Sequence, residues 1–325
     1  MAETKNIATM ASILSNDLFG EFLWSQVGPT DTNWPCEDPD GHKLKTHPSD
    51  VVFYYDNPYA LSRTYVNCDL KSYASGTITK SAITPAIESL GRTLACAEKS
   101  IEWQRLFLHD NVNSEICGLL FVYNHDGAYD KDFKGLLAKA KPELHPMPKG
   151  SKLFVLGPED IFWLNNVKYE IVQMRGKEIV PSRDHCRYFY PNLVRKNNVQ
   201  PENARAATLE VLSSPWVVLT FTHPKTNRQG YVIFYRRRGE SAPEFLYLID
   251  YLMSYQVIND NTDIYIRTLD PDPTAPASFQ KAVQEYTEQC EDSVEILQML
   301  KTISYSQIND IHTQFSEIEI GMDNA

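Results

Sequence analysis

Asp50-Val51-Val52-Phe53-Tyr54-Tyr55 is followed by Asp56-Asn57-Pro58 and then by Arg63-Thr64-Tyr65-Val66-Asn67-Cys68-Asp69-Leu70-Lys71. Two runs rich in β-branched and aromatic residues flank a turn signal, which predicts a β-hairpin. Side chains i and i+2 of a strand share one face, so Asp69 and Lys71 point the same way. Pairing of the two strands brings Asp50 towards them. Two carboxylates and one ammonium then stand at one end of a small sheet, an arrangement suited to holding Mg²⁺ against a phosphate. Mg²⁺ takes a few carboxylate oxygens and keeps several waters. Asp50 and Asp69 are the expected metal ligands, and the backbone carbonyl of Leu70 is the third. Lys71 is expected to hold or help deprotonate the attacking water and to offset phosphate charge. Carboxylates raise the pKa of such an ammonium while burial and a metal lower it, so the sequence leaves the sign open.

Working outward, the chain of 325 residues is 42% hydrophobic, 22% charged and 11% aromatic, enough for one large domain or two. No stretch reaches the roughly 18 apolar residues of a membrane helix. The N-terminus lacks a basic region followed by an apolar one, so a soluble, cytoplasmic chain is expected. The six cysteines include no C-x-x-C pair, and none of the eight histidines has an evident ligand spacing with a cysteine or another histidine. Reduced thiols are expected, and neither a zinc site nor a disulfide framework is. The net charge of −11 excludes tight nucleic-acid binding over the whole surface. A local basic face or a partner would have to supply affinity. The chain contains no G-x-x-x-x-G-K-[ST] loop and no G-x-S-x-G elbow, so neither ATP hydrolysis nor serine hydrolase chemistry is expected.

Apolar spacing predicts a helix over 9–27, with Ser15-Asn16-Asp17 as a cap for its main part and Gly28-Pro29 as its stop. Residues 29–49, with four prolines, read as a loop. After the hairpin come helical segments over 80–108, a buried strand at 118–123, a helix at 130–141, a strand at 152–156 and a helix at 159–175. This order predicts an α/β domain over 1–175, a mixed sheet flanked by helices. Residues 176–207 read as a linker or irregular crossing, and 208–325 as a smaller α+β accessory unit. In that unit strands are expected at 215–221, 230–235 and 263–267, and helices at 245–257, 276–290 and 294–304. The tail from Gly321 is expected to be mobile, and no internal repeat is visible in the sequence.

Arg236-Arg237-Arg238, the densest basic run, is either a nucleic-acid phosphate clamp or a solvated strand end. Arg183, His185 and Arg187 interleave with Tyr188, Phe189 and Tyr190, a mixture that suits single-stranded nucleic acid or, by preference here, a domain interface. His125-Asp126 follows the 118–123 strand and could flank the site, although a loop histidine is the plainer reading. Asp56 rivals Asp50 but belongs to a turn signal. Ser72 and Tyr73 are read as finishing their strand.

Residues 10–175 resemble the PD-(D/E)xK nuclease superfamily, which has the restriction-endonuclease-like fold. Glu21, within Leu18-Phe19-Gly20-Glu21-Phe22, matches the acidic residue of the family's opening helix. Pro48-Ser49-Asp50 stands where the family has its first Asp, and Asp69-Leu70-Lys71 where it has (D/E)-x-K. Ser49 is inserted between Pro48 and Asp50, and Asp69 replaces the more frequent Glu. The resemblance implies a catalytic set of Glu21, Asp50, Asp69 and Lys71 and a Mg²⁺ or Mn²⁺ cofactor. It further implies hydrolysis of nucleic acid, with DNA as the favoured substrate and endonucleolytic cleavage as the favoured mode. The context it brings is bacterial anti-phage defence or restriction, beside a separately encoded ATPase or helicase and in a chain able to self-associate. The alternative is a non-catalytic interaction or DNA-binding subunit that keeps the fold.

Overall fold

The computed structural model describes residues 2–109, 113–141, 150–191 and 204–313. Its first unit runs α1 (Ala2–Glu21), β1 (Ser25–Val27), β2 (Thr32–Pro35), α2 (Pro39–His42), β3 (Thr46–Ser49), β4 (Val51–Asp56) and β5 (Ser62–Tyr73), then α3 (Lys80–Ala97), α4 (Ile101–Phe107), β6 (Asn113–Asn124), α5 (Phe133–Ala140) and β7 (Lys152–Leu156). The sheet order is β1-β4-β5-β6-β7. β1, β4 and β5 are antiparallel neighbours, whereas β5, β6 and β7 run parallel. The expected hairpin is therefore the centre of a mixed sheet, which is why Val51, Val52 and Phe53 are buried without alternation. The parallel step from β5 to β6 needs a long crossover, which α3 and α4 supply. Gly118 lets α3 lie close on β6, since a Cβ there would meet Leu94 Cδ1 at 2.8 Å.

Two sequence expectations change in this unit. The first helix ends at Glu21 and not at 27, and Val27 is in a strand. Leu23 takes the left-handed conformation (φ 65°). Its N–H donates to Gly20 O and the N–H of Trp24 to Phe19 O, closing the helix with a two-bond cap. That turn lays Trp24 flat on Phe19, ring centroids 4.3 Å apart. Ser15-Asn16-Asp17 lies inside the helix, where Ser15 Oγ donates to Ser12 O. The second change concerns 29–49, which is a small hairpin and not a loop: β2 pairs with β3, Trp34 opposite His47, with α2 between them. Trp34 is fully buried.

Of the described residues, the first compact unit takes in 2–162, 204 and 312–313, and the second 163–191 and 205–311. Helix α6 (Pro158–Gly176) buries Leu164, Val167, Ile171 and Met174 on one stripe. Its Glu170 pairs with Arg267 at 3.1 Å, so most of the helix belongs to the second unit. The remaining elements are β8 (Cys186–Tyr188), α7 (Leu209–Leu212), β9 (Trp216–Thr222), β10 (Gln229–Tyr235), α8 (Ala242–Ser254), β11 (Thr262–Thr268), α9 (Ala275–Gln289), α10 (Val294–Lys301) and β12 (Ser304–Gln307). The stretch read as a linker thus contributes β8 to the second sheet, while Pro201 and the tail from Gly321 lie outside the described residues. The second sheet, β8-β9-β10-β11-β12, pairs antiparallel twice and then parallel twice. The first sheet has the same succession of directions, with helices likewise inserted at the two parallel steps. The sequence betrays no repeat, but the strand plan occurs twice.

Candidate active site

Asp50 immediately precedes β4, whose first residue, Val51, pairs with Cys68. Asp50 and Asp69 are thus the next pair outward. The Asp50 carboxylate accepts the N–H of Leu70 at 2.7 Å. In an extended strand the N–H and C=O of one residue face the same neighbour, so the Leu70 carbonyl is turned to the Asp50 side of β5. Lys71 Nζ donates to Asp69 Oδ1 at 2.5 Å, as strand alternation requires. Both side chains keep some access to solvent, 33% for Lys71 and 15% for Asp69.

Burial and the neighbouring Asp69 carboxylate push the Asp50 carboxyl up to about 6, against the opposing Leu70 N–H and Lys71; Asp31 adds to the upward push. For Lys71 burial acts downward, yet the carboxylates of Asp69 and Asp50 outweigh it and the ammonium is held above its ordinary value. The sign left open by the sequence is therefore upward. Burial is the larger cause of the Asp50 shift, and Lys71 offsets the Asp69 charge only in part. Two carboxylates and a carbonyl form an all-oxygen donor set, which fits a hard divalent cation.

Ser49, the residue inserted before Asp50, has a packing role. Its Oγ donates to Asn67 Oδ1 at 2.6 Å and accepts from Trp34 Nε1 at 3.0 Å and Trp103 Nε1 at 3.3 Å. All four side chains are buried, so the junction of β3 and β4 is anchored from beneath. Glu21 is the last residue of α1, which packs on β5, and it is buried.

The other candidates are dispersed. Asp56 is paired with Arg63 at 3.0 Å on the far end of the hairpin from Asp50. Ser72 Oγ lies 3.3 Å from His125 Nδ1. Asp126 closes the turn after β6 by accepting from Ser75 N–H, Ala128 N–H and Asn124 Nδ2. Those hydrogen bonds outweigh desolvation and hold its carboxyl down near 2. Arg236 lies 4.3 Å over the Trp163 ring and donates to Leu212 O, whereas Arg238 faces Asp270 at 3.5 Å. Arg237 is exposed. In the basic–aromatic mixture at 183–190, Arg183 and His185 lie in an exposed 3-10 turn, and in β8 Arg187 is exposed while Tyr188 is buried.

Reading along the chain missed one group. Cys36, His42, His47 and Cys96 bring their donor atoms within 4.8 Å of one another. Contrary to expectation, two histidines do have ligand spacing to a cysteine, in Cys36-x5-His42-x4-His47. That spacing was legible, but the fourth member lies sixty residues on and only folding supplies it.

Residues 1–160 match the family model for the GAPS4 protein PD-(D/E)XK nuclease domain. This segment belongs to the PD-(D/E)XK nuclease superfamily. Members of this superfamily generally use divalent metal ions, in keeping with the oxygen donors at the Asp50–Asp69 site. A search of curated proteins finds no match for the chain. Among the described residues no helix is long and apolar enough to cross a membrane.

Proposed function

We propose that this protein is a metal-dependent nuclease that hydrolyses phosphodiester bonds in DNA. The observation that carries the proposal is that Asp50 accepts the Leu70 N–H while Lys71 pairs with Asp69 on the adjacent strand, within a segment of nuclease family. Asp50, Asp69 and Leu70 O would hold Mg²⁺ or Mn²⁺. When bound, the ion supplies Lewis-acid polarisation of the phosphate and lowers the pKa of water. Lys71, kept protonated by its two carboxylate neighbours, would orient the attacking water and offset charge building on the phosphate oxygens. Glu21, buried at the end of α1, would help to set the site's charge.

The GAPS4 family match supports a role in anti-phage defence. With a net charge of −11, the chain would draw part of its affinity for nucleic acid from a partner, a separate ATPase or helicase being one fitting class, or from a second copy of itself. Within the basic run Arg236-Arg237-Arg238, the exposure of Arg237 supports a contact with a backbone phosphate.

The test is cleavage of linear, nicked, supercoiled and single-stranded DNA with Mg²⁺, Mn²⁺ or chelator. Wild type is expected to cut with metal, and Asp69→Ala and Lys71→Ala to lose at least about a hundredfold in rate while staying folded. Cleavage that persists in both variants would refute the assignment. A wild type inert on every DNA substrate, alone and with the material that co-purifies with it, would favour the non-catalytic subunit.

A further inference from the structure

We infer that Cys36, His42, His47 and Cys96 form a structural zinc site that clamps the β2–α2–β3 hairpin onto the end of α3. The four come from separate pieces of backbone. Cys36 follows β2, His42 ends α2, His47 lies in β3, and Cys96 is one residue from the end of α3. Three of the four are buried, and His42 is half-buried.

The spacing of the donor atoms fits one small ion. The two sulfurs are 3.7 Å apart, too far for a disulfide. Cys36 Sγ lies 3.3 Å from His42 Nδ1 and 3.1 Å from His47 Nε2, and Cys96 Sγ lies 3.4 Å from His42 Nδ1. Zinc at about 2.3 Å from sulfur and about 2.0 Å from nitrogen, in a tetrahedron, requires edges of about 3.8 Å between sulfurs and about 3.5 Å between sulfur and nitrogen. The observed edges are those of such a tetrahedron, slightly contracted at His47.

The surroundings of the ligands point the same way. Thr93 Oγ1 donates to Ser89 O, so at 3.3 Å from His47 Nδ1 it is placed to accept that N–H. This fixes the tautomer and leaves the Nε2 lone pair turned to the cluster, as in metal-bound histidines. Two cysteines and two histidines, closed and mostly buried, are a donor set for structural zinc and are too soft for Mg²⁺. The site is separate from the Asp50–Asp69 oxygens and does not depend on the nuclease reading. Its mechanical role is local: His47 lies three residues before Asp50, so the clamp would hold the segment that carries Asp50.

The experiment is metal analysis of the purified full-length chain, followed by replacement with Co²⁺. About one zinc per chain is expected in wild type, in Asp69→Ala and in Cys290→Ser, which changes a cysteine of the second unit. The cobalt form should show thiolate-to-metal charge transfer and the d–d absorption of a tetrahedral site. Cys36→Ser and Cys96→Ser should lose most of the zinc and both signals. Folded wild type that carries no zinc after growth with zinc, and takes up no Co²⁺ with a thiolate signature, would overturn the inference without recourse to any variant. So would zinc retained in full by both cysteine variants.

Discussion

At the scale of single residues, the site is dominated by an imbalance of charge. Asp69, Asp31 and burial act on Asp50 against one ammonium and one amide. Its folded pKa of about 6 exceeds the unfolded 3.8, so the folded state binds the extra proton between these values. Metal-free stability should therefore decline as pH rises from about 4 to 6 and stay lower above that. Asp50→Asn should raise the melting temperature of metal-free protein at pH 8, by a free energy on the order of 2 kcal/mol, and have little effect at pH 4. Calorimetry at the two pH values checks this, and an equal effect at both would show that the carboxylate is not the source. Ser49 tests the anchoring from beneath. Ser49→Ala leaves the Trp34 indole N–H without its acceptor, at a cost of about 1–3 kcal/mol, while the Trp103 N–H keeps Asn67 Oδ1 at 3.4 Å. A urea midpoint unchanged in Ser49→Ala would remove this network from the account of the site.

At the scale of elements, helix interiors and the ends of α6 and α9 were legible, but the ends of α1 and α8 were not. The expected ends at 27 and 257 fall at Glu21 and Ser254. The reason is the same in both. Leu23 and Gln256 take the left-handed conformation that usually advertises itself as glycine, as do Glu178 and Glu291 after α6 and α9. At Gln256 the N–H donates to Met253 O and the next N–H, that of Val257, to Leu252 O, closing α8 with no sequence signal. Gln256 is exposed at φ 55°, so glycine there removes strain and loses no packing. Gln256→Gly is expected to stabilise by about 0.5–1 kcal/mol, read as a shift in urea midpoint. A loss of stability would mean that the side chain matters more than the backbone angle. The β2–β3 hairpin was missed for another reason: its apolar content is mainly Trp34, and prolines dominate its composition.

At the scale of the whole molecule, the boundary between units tracks burial and charge pairing instead of the position of prolines. Arg267 and Glu170 are 9% and 12% exposed, and the pair ties α6 to β11. Arg267→Ala leaves Glu170 without its partner, at a cost of about 3 kcal/mol. Amide exchange should then quicken in α6 and β10–β12 while α1 and β4–β6 stay protected. Equal acceleration in both sets would argue against two separately cooperative units. Measured from the first hairpin pair, Arg236 and Arg238 of the second sheet stand where the first has Asp69 and Lys71, and Pro215 stands where it has Asp50. The second plan therefore lacks the carboxylates, and Asp69→Ala should leave no residual metal-dependent cleavage for the second unit to supply. Sequence alone determined the hairpin, the shared face of Asp69 and Lys71 and the mixed α/β order, because alternation and turn chemistry are local. Tertiary structure alone decided the upward shifts of Asp50 and Lys71, the repeated strand plan and the meeting of Cys96 with Cys36, His42 and His47. Burial, sheet order and contacts across sixty residues are properties of the folded chain and leave no mark on neighbouring letters.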